Sequence, residues 1–117
     1  MKKIYYLSTC DTCKRIINEI QLPNSFTQQD IKTEPLTPKQ IEEMYSLAGS
    51  YESLFSKRAK LYKERDLKNQ QLEDEDYRDL ILEHYTFLKR PVIINEGSIF
   101  IGNSKKEVEA AKQSIHG

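Results

Sequence analysis

Ser8-Thr9-Cys10-Asp11-Thr12-Cys13-Lys14 is the stretch around which the chain reads. Ile4-Tyr5-Tyr6-Leu7 before it is a short apolar run, predicting a buried strand. After it, Ile16, Ile17 and Ile20 recur with the spacing of one helix face. The two cysteines therefore fall where a strand stops and a helix starts. Backbone N–H groups at a helix N-terminus lack intrahelical partners and carry partial positive charge. Both features favour a thiolate, which is the nucleophilic form of cysteine. Cys-x-x-Cys in this position, in a small mixed α/β chain, is a redox motif. Cys10 reads as the attacking sulfur because it lies first, nearest the open helix end. Cys13, one turn further in, is placed to resolve a mixed disulfide.

The rest of the composition narrows the setting. A length of 117 residues predicts one domain, and 38% hydrophobic with 31% charged residues supports one modest core. No apolar run approaches the roughly 20 residues that span a bilayer. Met1-Lys2-Lys3 leads straight into a strand and does not read as a secretory signal. Eighteen basic residues balance eighteen acidic ones, so no general attraction to nucleic acid is expected. Two closely spaced cysteines do not make the disulfide framework of a secreted domain. The expected compartment is the cytoplasm, with no membrane partner.

Beyond the first helix, Leu22 to Ser25 reads as a turn and Phe26 to Ile31 as an edge strand of mixed polarity. Thr37-Pro38 starts a helix, with Thr37 as N-cap, an apolar face of Ile41, Met44, Tyr45 and Ala48, and Gly49 as its end. Leu54, Phe55, Arg58, Leu61 and Tyr62 recur at three- and four-residue steps, predicting a second helical block with Arg58 inside an apolar stripe. Such an arginine either snorkels to a carboxylate or points into a site and holds an anion. Lys63 to Glu75 reads as a charged loop or a frayed turn, and the Lys57 to Lys68 cluster most simply as a solvated face, with a docking partner as the alternative. Tyr77, Leu80, Ile81, His84 and Leu88 mark another helix. Val92-Ile93-Ile94 and Ile99-Phe100-Ile101 form a hairpin around Glu96-Gly97. Ser104 opens the last helix, with Glu107 completing a capping box and Val108, Ala111 and Ile115 facing inward. The order is β-α-β-α, an inserted helical pair, then β-β-α.

For the two cysteines the alternatives are inert structural thiols or half of a zinc site. Zinc needs two further ligands, and the only histidines are His84, on a helix face, and His116 in the tail. No resident metal is expected. Asp11 is a candidate helix cap, although its carboxylate opposes ionisation of Cys10.

Four stretches together resemble the ArsC-like family, whose members include glutaredoxin-dependent arsenate reductases and the related Spx and YffB proteins. They are Cys10-Asp11-Thr12-Cys13-Lys14, Asp30-Ile31-Lys32-Thr33-Glu34-Pro35-Leu36-Thr37, Leu54-Phe55-Ser56-Lys57-Arg58-Ala59-Lys60-Leu61-Tyr62 and Leu88-Lys89-Arg90-Pro91-Val92. The likeness covers nearly the whole chain. It implies an α/β, thioredoxin-like fold with a mixed four-stranded sheet, formed by residues 1–117 as a single domain with a helical insertion at roughly 38–88. It further implies Cys10 as nucleophile, Arg58 and Arg90 as an oxyanion pocket, Pro91 as a cis-proline facing the active-site loop, and Thr12 in the anion-binding loop. Two guanidinium groups would hold an oxyanion by forked hydrogen bonds and favour a thiolate.

The chain also departs from the arsenate reductases, which carry an arginine where Asn103 follows Gly102 here and usually a serine where Cys13 stands. Spx regulators share the Cys-x-x-Cys but act by binding RNA polymerase, while the Asp-Thr inside this loop looks more like YffB. The expectation is an arsenate-reductase-like thiol–disulfide oxidoreductase acting on a small oxyanion or a disulfide. It would have no bound cofactor and would be reduced by an external thiol, glutathione with glutaredoxin or thioredoxin, or through Cys13. The alternative is an Spx-like redox-sensing regulator that contacts RNA polymerase.

Overall fold

A computed structural model describes residues 1–117. Two compact units divide the chain, one of residues 1–34 with 90–117 and one of residues 35–89. In the first, β1 (Lys2–Tyr6) leads through a short loop into α1 (Asp11–Glu19), followed by β2 (Thr27–Asp30). After residue 90 come β3 (Val92–Asn95), β4 (Ser98–Ile101) and α5 (Lys105–His116). The four strands form one mixed sheet in the order β2-β1-β3-β4. β1 and β2 are parallel, from Lys3 opposite Thr27 to Tyr6 opposite Asp30. β3 runs antiparallel to both neighbours, pairing Ile93 with Ile4 and with Phe100. This is the thioredoxin-like α/β sheet, with the polar strand Thr27–Asp30 at its edge.

The alternation of side chains along each strand decides how the sheet is covered. Ile4 and Ile93 point to one face, where Ile16 of α1, Ile20 at its C-cap, Phe26, and Val108 and Ala111 of α5 bury them. Ile16 and Ile20 are four residues apart and so lie on one helix face, which sets α1 over β1 and leaves its first turn at the strand's exit. His116 Nε2 donates to the Ile20 carbonyl at 2.6 Å, satisfying an acceptor at the C-terminal end of α1. The β3–β4 turn is the tight hairpin expected at Glu96-Gly97, both with positive φ, 56° and 149°.

The second unit holds α2 (Pro38–Ala48), α3 (Lys60–Glu64) and α4 (Asp74–Glu83), with single 3₁₀ turns at Glu52–Leu54, Leu67–Asn69 and Tyr85–Phe87. α2 opens with a complete capping box: Thr37 Oγ1 accepts from Gln40 N, and Gln40 Oε1 accepts from Thr37 N, each at 3.1 Å. It closes on Gly49 in the left-handed conformation. Ile41 and Met44 are buried, whereas Tyr45, read as part of the apolar face, is 40% exposed and stacks on Tyr51.

The helical block expected over Leu54 to Tyr62 is not formed. Phe55 instead makes an antiparallel bridge with Leu88, flanked by Lys89 N to Leu54 O at 2.8 Å and Ser56 N to Phe87 O at 2.7 Å. This pairing between segments distant in sequence outweighs the local periodicity, and α3 begins only at Lys60. Phe55 then packs against Tyr62, Tyr77 and Phe87, an aromatic cluster that buries the bridge. The segment read as a loop, Lys63 to Glu75, contains the end of α3, a 3₁₀ turn and the start of α4, which stops at Glu83. His84 turns the chain there, its Nδ1 accepting from Thr86 N at 3.2 Å.

Ile16 has no solvent exposure and sits at the centre of the α1–sheet contact. Ile16→Ala is expected to cost about 2–5 kcal/mol of unfolding free energy, transfer and cavity terms together. Urea unfolding followed by circular dichroism measures it, and a loss below about 1 kcal/mol would contradict this packing.

Candidate active site

α1 has Cys10 as its N-cap residue, in extended conformation (φ −96°, ψ 112°), with no side-chain oxygen closing the helix end. Cys10 N–H donates to the Leu7 carbonyl at 3.0 Å, closing the turn that leaves β1. Lys14 N–H donates to the Cys10 carbonyl at 3.2 Å, the first bond of the helix. The helix-end N–H groups therefore meet sulfur. Partial burial opposes ionisation of Cys10. It is outweighed by the Cys13 backbone N–H and thiol, by the Thr12 backbone N–H and by the charge of Arg90, which together hold the Cys10 thiol below its ordinary value. Asp11, a candidate cap in the sequence, is the first helical residue and is exposed. The cap position is one residue earlier because Cys10, not Asp11, has the extended backbone.

Cys13 has no exposure. Its burial is the largest influence and pushes the thiol up to about 11. The negative charge of Cys10 and the hydrogen bond given to it act in the same direction, against the Leu7 backbone N–H and Arg90. Cys10 is thus the more readily ionised sulfur, and Cys13 the one that holds its proton and donates to it. Both cysteines are free thiols in the structure.

Arg90 and Pro91 approach from β3. Val92 pairs with Tyr5, so the residues before it come in beside the end of β1, from which the loop to Cys10 departs. The Arg90–Pro91 peptide is cis, and the Pro91 carbonyl accepts from Gly102 N at 2.9 Å. Cys10, Thr12, Cys13, Arg90 and Pro91 all belong to the first unit. Arg58 belongs to the second, exposed in the turn ahead of α3 instead of lying in a helical stripe. Asn103 is exposed in the bend before α5. There Ser104 Oγ accepts from Glu107 N, while the Glu107 carboxylate accepts from Ile101 N at 3.1 Å, so the expected capping box is half formed. No group of three or more His, Cys, Asp or Glu side chains is placed to hold a metal ion.

Two contacts at this site have no counterpart in the sequence reading. The Leu7 backbone N–H acts on the Cys13 sulfur. The Ser8 hydroxyl donates to Asp30 Oδ2, joining the cysteine loop to the end of β2. Ser8 and Asp30 are 22 residues apart, and only the parallel register of β1 and β2 brings them together.

A mixed four-stranded sheet with Cys-x-x-Cys at the start of its first helix, beside a cis-proline, defines a thioredoxin-like fold. The ArsC family model matches residues 5–111, and the chain belongs to that family. The global transcriptional regulator Spx 1 of Bacillus cereus is 25% identical over 112 residues, 92% of this chain and 84% of the regulator. An arsenate reductase from Vibrio cholerae superposes with a TM-score of 0.77 at 18% identity, over 93% of this chain and 95% of the other. An arsenate reductase (ArsC) related protein from Brucella melitensis superposes with a TM-score of 0.69 at 22% identity, over 93% and 92%. These two structural likenesses bear on the fold.

The split between the sulfurs sets an order of reaction. Limiting iodoacetamide at about pH 7 is expected to alkylate Cys10 well ahead of Cys13, because only the thiolate reacts. Peptide mapping by mass spectrometry reads the order, and equal labelling would show the two thiols to be equivalent.

Proposed function

We propose that the protein is a thiol–disulfide oxidoreductase of the ArsC type, with Cys10 as nucleophile. The observation that carries this reading is the pair of sulfurs at the start of α1 with opposite proton affinities, one lowered and one raised. With a disulfide substrate, the Cys10 thiolate attacks one sulfur and expels the other as thiolate, leaving a mixed disulfide. With arsenate, Cys10 displaces an oxygen as water and forms an arsenic–sulfur bond. A second thiol then attacks the Cys10 sulfur, a disulfide forms, and the arsenic leaves with two electrons as arsenite. The second thiol is glutathione or Cys13, whose raised proton affinity keeps it in reserve until Cys10 has reacted.

Arg90, and Arg58 by the family likeness, would bind the oxyanion together with Thr12 at the helix start. External reduction by glutathione with glutaredoxin, or by thioredoxin, regenerates the dithiol, and the fitting compartment is the reducing cytoplasm. Asn103 lacks the charge of the family's third arginine, which weakens a preference for arsenate more than it weakens thiol exchange.

The curated relatives favour a second reading, since Spx regulators align over 92% of the chain. In it, formation and reduction of a Cys10–Cys13 disulfide would switch contact with RNA polymerase, with no direct contact to nucleic acid.

NADPH oxidation coupled through glutaredoxin and glutathione, with and without arsenate, separates the readings. Arsenate-dependent turnover is expected, reduced to background in Cys10→Ser and retained in part in Cys13→Ser when glutathione resolves the adduct. Turnover in Cys10→Ser would overturn the mechanism. Absence of turnover, with polymerase subunits co-purifying and a reversible Cys10–Cys13 disulfide, would select the regulator.

A further inference from the structure

The residues that ionise Cys10 act only if its sulfur is aimed at them, and that aim depends on the backbone of the loop from β1. Leu7 to Cys10 is a single turn closed by Cys10 N–H to Leu7 O at 3.0 Å. Ser8 lies inside that turn, two residues before the reactive sulfur. Its hydroxyl reaches across to the carboxylate of Asp30, the last residue of β2.

Asp30 is itself held. Its Oδ1 accepts from Lys32 N at 3.1 Å, and its backbone carbonyl accepts from Glu34 N at 2.8 Å and from Thr33 Oγ1 at 3.4 Å. Its backbone is fixed to β1 by register with Tyr6, continued by Ile31 N to Tyr6 O at 3.0 Å. A carboxylate anchored on a strand end and through its own turn is a stiff post, and a loop tied to it loses freedom.

We propose that Asp30 is a positioning residue for Cys10: through the Ser8 hydroxyl its carboxylate clamps the Leu7–Cys10 turn and so aims the Cys10 sulfur at the N–H groups of Thr12 and Cys13. The role rests on the reading of Cys10 as nucleophile, and deepens it. Parallel pairing puts the ends of β1 and β2 on the same side of the sheet, so a residue ending the second strand can brace the loop leaving the first. The Ser8 hydroxyl also holds the Asp30 carboxyl below its usual range, the hydrogen bond being the largest influence, so the clamp is made by a carboxylate.

Two physical effects of removing the Asp30 charge have opposite signs at Cys10. If Asp30 acted only as a nearby negative charge, Asp30→Asn would make Cys10 easier to ionise. If it acts as a clamp, loosening the turn misaligns the sulfur and makes Cys10 harder to ionise. Sign alone therefore separates positioning from simple electrostatics.

The experiment uses the Cys13→Ser chain, in which Cys10 is the only thiol. Its iodoacetamide rate is followed from about pH 5 to about pH 10, a window that contains the ordinary thiol range. Ser8→Ala and Asp30→Asn are each expected to raise the ionisation midpoint and slow alkylation at neutral pH by about threefold or more. Ser8→Thr, which keeps the hydroxyl, is expected to restore the parent profile. Ser8→Ala with Asp30→Asn is expected to be no worse than either alone, because both remove one contact.

Thermal unfolding is recorded on every variant. If Asp30→Asn does not fold, the Ser8→Ala and Ser8→Thr pair decides alone. Unchanged midpoints, a lowered midpoint in Asp30→Asn, or additive effects would overturn the positioning role and leave the nucleophile standing. An unlowered midpoint in the Cys13→Ser parent would overturn the nucleophile itself, and the clamp with it.

Discussion

An α-helix begins with N–H groups that have no partner inside the helix, and the site is built on how α1 meets that requirement. The common solution is a serine, threonine, aspartate or asparagine oxygen. Here the N-cap is Cys10, and no side-chain oxygen caps the helix. A sulfur in that position is a poorer acceptor as a thiol than as a thiolate, so the open helix end draws Cys10 toward ionisation. The next turn brings Cys13 underneath, out of contact with water, where the charged form is penalised. One local geometry thus gives two identical side chains different chemistry.

That geometry holds because α1 is fixed from below. Ile16 and Ile20 bury their side chains with Ile4 and Ile93 of the sheet, and Val108 and Ala111 of α5 share the same cluster. At the far end of the helix, His116 of α5 donates to the Ile20 carbonyl. The strands do the rest: β3, antiparallel to β1, delivers Arg90 and Pro91 beside the exit of β1, and β2, parallel to it, delivers Asp30 to the same region. The ends of β1 and β3 and the start of α1 meet at the sulfurs, and the end of β2 reaches the loop that carries Cys10. Ligand sites of parallel α/β sheets lie beyond the carboxyl ends of strands for this topological reason.

Elements with a short-range cause could be read in advance. Thr37 became the N-cap of α2 ahead of Pro38, Gly49 took the left-handed conformation that ends α2, and Glu96-Gly97 formed the hairpin turn. The pair Cys10 and Cys13 fell at the strand-to-helix junction as their neighbours required. Leu54 to Tyr62 could not be read in this way. Its three- and four-residue spacing is the spacing of a helix, yet Phe55 is in a bridge to Leu88, 33 residues further along (88 minus 55). Arg58 moved with it, from a helical stripe to an exposed turn. Tyr45 fits the apolar face of α2 by period, but its ring lies 40% exposed against Tyr51.

Order along the chain was sufficient for the kind of fold and for placing the two cysteines at the strand-to-helix junction, because strand period, helix period, caps and Cys-x-x-Cys spacing all act within a few residues. What required three dimensions was every influence arriving from elsewhere: Arg90 beside both sulfurs, the Leu7 N–H on Cys13, and the Ser8 hydroxyl on Asp30. Proton affinity depends on burial and on distance in space, and neither is a property of sequence separation. The motif names the atoms that can react; the parallel and antiparallel register of β1 with its two neighbours sets which groups stand around them.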